Sequence, residues 1–216
     1  KLLKSKGHDM EISVIGAGVS GLSTGIRLLE AGHSVHIFAE KVSPETVSDT
    51  AAAWWYPFLV EPLNKTNRWS TETFYELLRL SEEEGVSCIN MRFGREYLEE
   101  QCEPPGWSLE IPHFRILEDE EIASGFSFGW ELQAPVIEMH LYMPWLRNRY
   151  LDLGGAITIG RIEDFSELPG NVVVNCCGLG GIELCDDDSM MPVRGQVVYT
   201  TQDPGYGRFD QRPESL

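Results

Sequence analysis

Residues 11–32 read EISVIGAGVSGLSTGIRLLEAG, and the reading of this stretch decides the fold. Ile12, Val14 and Ile15 form an apolar, partly β-branched run, the pattern of a buried parallel strand. Gly16, Gly18 and Gly21 follow at G-x-G-x-x-G spacing. From Val19 onward, Leu22, Ile26 and Leu29 recur near helical spacing, and Gly32 is a stop signal. The glycines therefore fall on a strand-to-helix turn, the context this motif requires. Each has a physical task there. Gly16 permits the tight turn, the missing side chain of Gly18 lets a diphosphate approach the backbone, and Gly21 lets the helix pack close to the sheet. The unpaired N–H groups of the helix's first turn, with its dipole, then hold phosphate charge.

A second strand follows at once. Ser34–Phe38 (SVHIF) is short and β-rich, and Glu40 comes just beyond it. That puts a carboxylate about 20 residues past the glycines, where it can bind the ribose hydroxyls of an adenosine. Strand, glycines, helix, strand and acid in one order favour this reading over the alternative, a tight βα turn with no ligand. Glu40 repels a 2′-phosphate, which disfavours NADP; FAD and NAD fit this stretch equally well.

Outward from this core, the 216 residues suffice for one or two domains. A hydrophobic content of 42% with 24% charged residues is that of an ordinary globular protein. No apolar run approaches the roughly 18 residues of a membrane span, and no secretory apolar segment precedes the first strand. Residues 1–10 (KLLKSKGHDM) fit neither strand nor signal peptide and are read as a leader or tag. A net charge of −17 disfavours nucleic acid and anionic membranes as partners. The acidic runs at 82–84, 118–121 and 186–188 read as solvated surface, and consecutive acids lack the alternation of a calcium loop. Cys88, Cys102, Cys176, Cys177 and Cys185 contain no C-x-x-C pair, so buried thiols are expected, with no disulfide framework and no metal site. No G-x-S-x-G or H-E-x-x-H pattern offers a hydrolytic centre.

Along the chain, residues 41–50 read as a loop. Ala51, Ala52 and Ala53 then lead into Trp54, Trp55, Tyr56, Pro57 and Phe58, which suits either a backbone pressed against a flat ring system or a close-packed core segment. Residues 67–84 predict a helix with Ser70 and Thr73 as capping residues and Trp69, Phe74, Leu77, Leu78 and Leu80 as its apolar stripe. Residues 85–97 and 124–138 alternate like antiparallel strands, marking an inserted β-rich region. Residues 139–153 predict a helix with Leu141, Trp145, Leu146 and Tyr150 on one face and Pro144 near its start. Strands are expected at 156–162, at the buried run Val172, Val173 and Val174, and at 191–201, with a turn at 203–207. The second of these ends in Asn175-Cys176-Cys177-Gly178, beside the ligand crevice, with the cysteines read as inert packing.

Seven segments in order resemble the D-amino-acid oxidase family, which includes the D-aspartate oxidases: VIGAGVSGLSTG at 14–25, SDTAAAWWYP at 48–57, NRWSTETF at 67–74, FGW at 128–130, YMPWL at 142–146, VVVNCCGLG at 172–180 and PVRGQVV at 192–198. The resemblance runs from about Glu11 to the end. It implies an α/β fold in which a Rossmann-like FAD-binding domain of the glutathione-reductase type is interleaved with a mixed-β substrate domain. The first FAD-binding part would span 11–85, the substrate part 86–138, the second FAD-binding part 139–190, and a second substrate part would begin at 191–216. It implies FAD as the cofactor. Gly16, Ala17, Gly18, Val19, Ser20 and Gly21 would bind the diphosphate, and Glu40 and Lys41 the adenosine end. Ser48, Ala52, Ala53 and Trp54 would follow the flavin, Ile162 would touch the adenine, and Cys177 and Gly178 would lie beside the cofactor. Ala53, Tyr56 and Phe58 depart from the family's commoner Gly, Gln and Tyr.

The resemblance further implies oxidation of a D-amino acid to an imino acid, hydrolysed to a 2-oxo acid and ammonia, with oxygen reduced to hydrogen peroxide. The family's substrate-carboxylate arginine and active-site tyrosine have no counterpart in the matched segments. No catalytic residue is therefore assigned, and these groups are expected beyond residue 216. Arg194 is read as structural. The expected partners are a D-amino acid and oxygen, with the C-terminal half as a second chain; a homodimer is compatible. The expected location is intracellular, cytoplasmic or peroxisomal. The rival readings are a glycine- or sarcosine-type amine oxidase and a flavin-binding fragment without turnover.

Overall fold

A computed structural model describes residues 10–58, 60–192 and 195, together with the backbone of 207–210. In chain order its elements are β1 (Glu11–Ile15), α1 (Val19–Glu30), β2 (Ser34–Ala39), β3 (Ala53–Trp54), α2 (Leu63–Glu82), β4 (Ile89–Leu98), β5 (Phe114–Ile116), β6 (Phe128–Ile137), α3 (Met139–Asp152), β7 (Ala156–Ile159), β8 (Val172–Asn175), α4 (Gly181–Leu184) and β9 (Gly207–Asp210). They divide into two units. The described residues of the first are 10–51, 139–192 and 195; those of the second are 52–58, 60–138 and 207–210. Among the described residues no helix is long and apolar enough to cross a membrane.

The first unit is a four-stranded parallel sheet in the order β7-β2-β1-β8. Its centre is where the apolar runs of the sequence meet. Ile12 lies opposite Val35 and Val14 opposite Ile37, and Ile12, Val14 and Ile37 are all but inaccessible to solvent. The chain steps outward from β1 through β2 to β7, then crosses to the far side of β1 to form β8. That reversal creates a crevice beyond the carboxyl ends of β1 and β8.

Helices α1 and α3 pack together. Tyr150 of α3 is fully buried, and its hydroxyl is shared between the carbonyls of Val35 (2.9 Å) and Ala156 (3.0 Å). It thereby ties the helix to β2 and β7. A side chain at Gly25 would have its Cβ 2.7 Å from the Tyr150 ring, so the ring's seat requires glycine there. The buried face of α3 is Met139, Tyr142, Met143, Leu146 and Tyr150. The expected Leu141 faces outward, and Trp145 stacks on Tyr142 under the guanidinium of Arg149. Pro144 sits in the second turn of a helix that starts at the expected residue.

Two strand expectations of this unit are corrected. The strand expected at 156–162 ends at Ile159, so Ile162 lies in the segment beyond it. The valines of β8, expected to be buried, are open: Val172 and Val173 are each 36% exposed. Among the described residues β8 pairs with one neighbour, β1, and lies at the edge of the sheet.

In the second unit β6 is central. It pairs with β4 along its full length, antiparallel, from Ile89 opposite Ile137 to Leu98 opposite Phe128. Its other side carries β3 and β5 end to end, and β9 runs parallel to β4. Trp55 packs edge-on against Phe74 and Trp107 in the core, which settles the aromatic run at 54–58 as packing at that residue.

Helix α2 differs from expectation in three ways. It starts at Leu63, not Asn67, directly after Pro62. Ser70 and Thr73 therefore fall inside it and donate back to the carbonyls of Thr66 (2.6 Å) and Trp69 (2.8 Å) instead of capping it. Trp69 lies outside the buried stripe, which is Thr66, Phe74, Leu77 and Leu80. The helix packs on β4 and β6, so the units divide between 51 and 52, whereas the sequence suggests a boundary near 85. The expected strand at 191–201, the turn at 203–207, Arg194 and residues 1–9 lie outside the described residues, apart from positions 191, 192, 195 and the backbone of 207.

Candidate nucleotide-binding site

The turn after β1 is built by its glycines. Gly16 has φ +100°, a conformation that favours glycine, and a Cβ there would lie 2.4 Å from the Cys176 carbonyl oxygen. Its N–H donates to the Phe38 carbonyl (2.8 Å), while Cys176 N–H donates to the Ile15 carbonyl (2.9 Å). The turn is thus held between the ends of β2 and β8. A Cβ at Gly21 would fall 1.8 Å from the Gly16 carbonyl oxygen, so helix and turn are in backbone contact. Gly18 is the N-cap of α1 and makes no side-chain cap.

Ser48 completes the helix start. Val19 N–H donates to Ser48 Oγ at 3.0 Å, taking one of the first-turn amides that have no intrahelical partner. The loop that carries Ser48 is braced by Asp49. One carboxylate oxygen of Asp49 accepts from Thr46 N–H (3.0 Å) and Thr46 Oγ1 (2.5 Å), and the other from Ser43 Oγ (2.6 Å). Sequence reasoning missed this brace, although the spacing Thr46-x-x-Asp49 is a capping-box signal.

A cavity of about 880 Å³ opens over the turn, within the first unit. Its lining includes Gly16, Ala17, Gly18, Val19 and Ser20 from the turn and α1. Glu40 and Lys41 line it beyond β2, and Ser48 from the braced loop. Ile162 enters beyond β7, and Cys177 and Gly178 beyond β8. Gly21 lies beneath, buried in the helix–turn contact. Ala52, Ala53 and Trp54 belong to the second unit, where Ala53 pairs with Ile137 and Trp54 with Val136.

The cavity wall also holds groups the sequence reading passed over. Glu45, Glu163 and Glu183 join Glu40 as carboxylates, and Arg161 joins Lys41 as a cation. Arg161 Nη2 reaches Glu183 Oε2 at 2.5 Å, with Glu163 Oε1 3.9 Å from its Nε. The hydrogen bond that Arg161 donates to Glu183, then the charges of Glu183 and Glu40, hold the guanidinium above its usual range. Burial pushes the Cys176 and Cys177 thiols up, so both stay protonated. Asn175 accepts from Cys177 N–H (3.1 Å) and donates to Cys185 Sγ (3.1 Å), a packing arrangement of thiols. Among the described residues no group of three or more His, Cys, Asp or Glu is placed to hold a metal ion.

These parts fit a dinucleotide. Bare backbone at 16–18 and a helix N-terminus face the cavity where a diphosphate needs amides, and a Cβ at Gly18 would intrude toward Ser48 Oγ at 3.0 Å. The Glu40 carboxylate stands beyond β2, where ribose hydroxyls are read.

The sequence profile of the FAD dependent oxidoreductase family, DAO, matches residues 11–215. A D-amino-acid oxidase of Streptomyces coelicolor is 34% identical over 202 residues, covering 92% of this chain and 61% of that protein. A D-aspartate oxidase of Homo sapiens is 35% identical over 199 residues, covering 87% of this chain and 58% of that protein. The chain thus spans about three fifths of the length of these relatives. The crystal structure of glycine oxidase from Geobacillus kaustophilus superposes with a TM-score of 0.62 at 14% identity, over 83% of this chain and 58% of that one, a likeness of fold.

Proposed function

Since the chain belongs to the FAD-dependent oxidoreductase family DAO, whose cofactor is FAD, we propose that it serves the oxidative deamination of D-amino acids to 2-oxo acids, with ammonia and hydrogen peroxide as the other products. The observation that carries this reading is the cavity beyond the carboxyl ends of a parallel sheet, lined by the glycine turn and by Glu40.

Bound FAD supplies a two-electron acceptor for the substrate's α-C–H bond. The chain's own residues do the holding. The amides of the Gly16–Gly18 turn and the start of α1 neutralise the diphosphate, with Ser48 keeping the first turn in place through Val19 N–H. Glu40 accepts from the ribose hydroxyls, and its charge excludes a 2′-phosphate. Ile162 offers an apolar contact to the adenine. Cys177 and Gly178 close the wall beyond β8, and the protonated thiol adds no charge there.

The test is an absorbance titration without oxygen of the FAD-loaded protein with D-alanine, D-aspartate, their L-enantiomers, glycine and sarcosine. Bleaching of the oxidised flavin band by a D-amino acid, and not by its enantiomer, is expected. Bleaching by glycine or sarcosine alone would replace the proposal with the glycine-type reaction. A loaded protein that none of them bleaches would remove turnover and leave cofactor binding.

A further inference from the structure

The Arg161–Glu183 pair lies at an unusual place in the topology. β7 and β8 are the two opposite edges of the first unit's sheet, with β2 and β1 between them. At about 4.8 Å per strand the edges stand roughly 14 Å apart. Arg161 is two residues beyond the end of β7, and Glu183 lies in α4, the helix after β8. The strands are parallel, so both segments emerge at the same edge of the sheet. The 2.5 Å contact between them therefore spans the ends of β2 and β1, where Glu40 and the Gly16 turn stand. Both residues line the cavity.

The charge inventory says what such a contact is for. The lining carries four carboxylates, Glu40, Glu45, Glu163 and Glu183, against two cations, Lys41 and Arg161. An entering dinucleotide brings a diphosphate into a wall that is already net negative. One of the two available cations is held by a carboxylate on the opposite side. The side chains of the pair are 56% and 73% exposed, so the contact is in water and contributes little to holding the fold. A guanidinium that meets phosphate oxygens makes the stronger, charge-assisted and bidentate contact.

Building on the dinucleotide reading above, we propose that Arg161 and Glu183 form an exchangeable latch across the nucleotide crevice. In the free protein Arg161 is parked on Glu183 and the strap is closed. When the dinucleotide enters, Arg161 gives up the carboxylate for the diphosphate, and the strap closes over the ligand by phosphate in place of glutamate. Glu183 then sets the cost of entry: a diphosphate must displace its carboxylate before it gains Arg161, and a ligand without phosphate leaves the pair in place.

A double-mutant cycle on FAD binding tests this, read by the quenching of flavin and tryptophan fluorescence and by stopped-flow association. Four proteins are compared: wild type, Glu183→Gln, Arg161→Gln and the double variant, each checked for an unchanged thermal midpoint. Glu183→Gln is expected to tighten FAD binding about threefold and speed association, the scale of an exposed ion pair. Arg161→Gln is expected to weaken binding, and Glu183→Gln added to it is expected to bring no gain. Riboflavin, which lacks the diphosphate, should bind all four alike. Equal tightening by Glu183→Gln with and without Arg161 would overturn the latch, leaving Glu183 a repelling charge. So would wild-type FAD binding with an unaltered Kd in Glu183→Gln. A wild type that binds no FAD at all would instead overturn the nucleotide reading, and the latch with it.

Discussion

At the scale of single residues, the sharpest constraint is Gly21. With 1.8 Å between an added Cβ and the Gly16 carbonyl, neither backbone can yield without opening the turn. Gly21→Ala is expected to cost about 3 kcal/mol or more and to abolish FAD binding, read by urea unfolding and fluorescence titration. Glu96, in the second unit, is a different kind of residue. It is 1% exposed; Trp130 Nε1 (2.7 Å) and the Tyr56 hydroxyl both donate to its Oε2, and its Oε1 has no partner among the described residues. Burial raises its pKa, against the lowering effect of Tyr56 and Trp130. The folded state therefore binds the proton more tightly than the unfolded chain. Its stabilising contribution is complete below the unfolded carboxylate range near pH 4 and is lost as pH rises through the folded pKa. Glu96→Gln, with its amide oxygen in the place of Oε2, keeps the acceptor for Trp130 and Tyr56 and removes the ionisation. The variant is expected to be more stable than wild type at pH 8, with the difference shrinking at pH 5, by urea unfolding at both values. A variant less stable at pH 8 than at pH 5, relative to wild type, would mean that Glu96 is held as an anion.

At the scale of elements, two tethers outside the regular hydrogen-bond ladders decide the first unit. Asp49 braces the loop that brings Ser48 to α1. Asp49→Ala is expected to destabilise by about 1 kcal/mol, as loss of a cap does, and to weaken FAD binding several-fold because Ser48 loses its placement. A variant that loses stability and keeps its FAD affinity would show the loop to be structural only. Tyr150 ties α3 to both β2 and β7 through one hydroxyl, and burial pushes that phenol up to about 12. Tyr150→Phe removes the donor to the buried Val35 carbonyl and the part-buried Ala156 carbonyl and is expected to cost about 1–2 kcal/mol in a thermal melt. The lesson of α2 belongs here too. Its apolar stripe was legible from Phe74, Leu77 and Leu80, but its start was not. Ser70 and Thr73 look like caps in sequence, and nothing local shows that Pro62 already begins the helix.

At the scale of the whole molecule, a net charge of −17 sets the response to salt. Like charges crowded on folding repel, and raising ionic strength from about 10 mM to 150 mM shortens the screening length to about 8 Å. The thermal midpoint is expected to rise over that interval. An unchanged or falling midpoint would show that ion pairs such as Arg95 and Arg115 with Glu121 and Glu131 outweigh the repulsion.

The sequence alone determined the strand, glycine turn, helix and second strand of residues 11–39, and with them the place of Glu40. Those features are local: glycine spacing, β-branched runs and helical periodicity act over a few residues, and backbone sterics read them directly. The placement of Cys177 and Gly178 beside the crevice was also legible, because strands of a parallel sheet end on one side, whereas Ile162 was expected there from the family resemblance alone and as part of a strand that stops at Ile159. Only the tertiary structure decided the rest. Which unit owns α2, how open the valines of β8 are, how deeply Glu96 is buried, and that Arg161 meets Glu183 all depend on strand order and on packing between residues far apart in the chain. Such distant pairings leave no periodicity behind, so no local pattern can carry them.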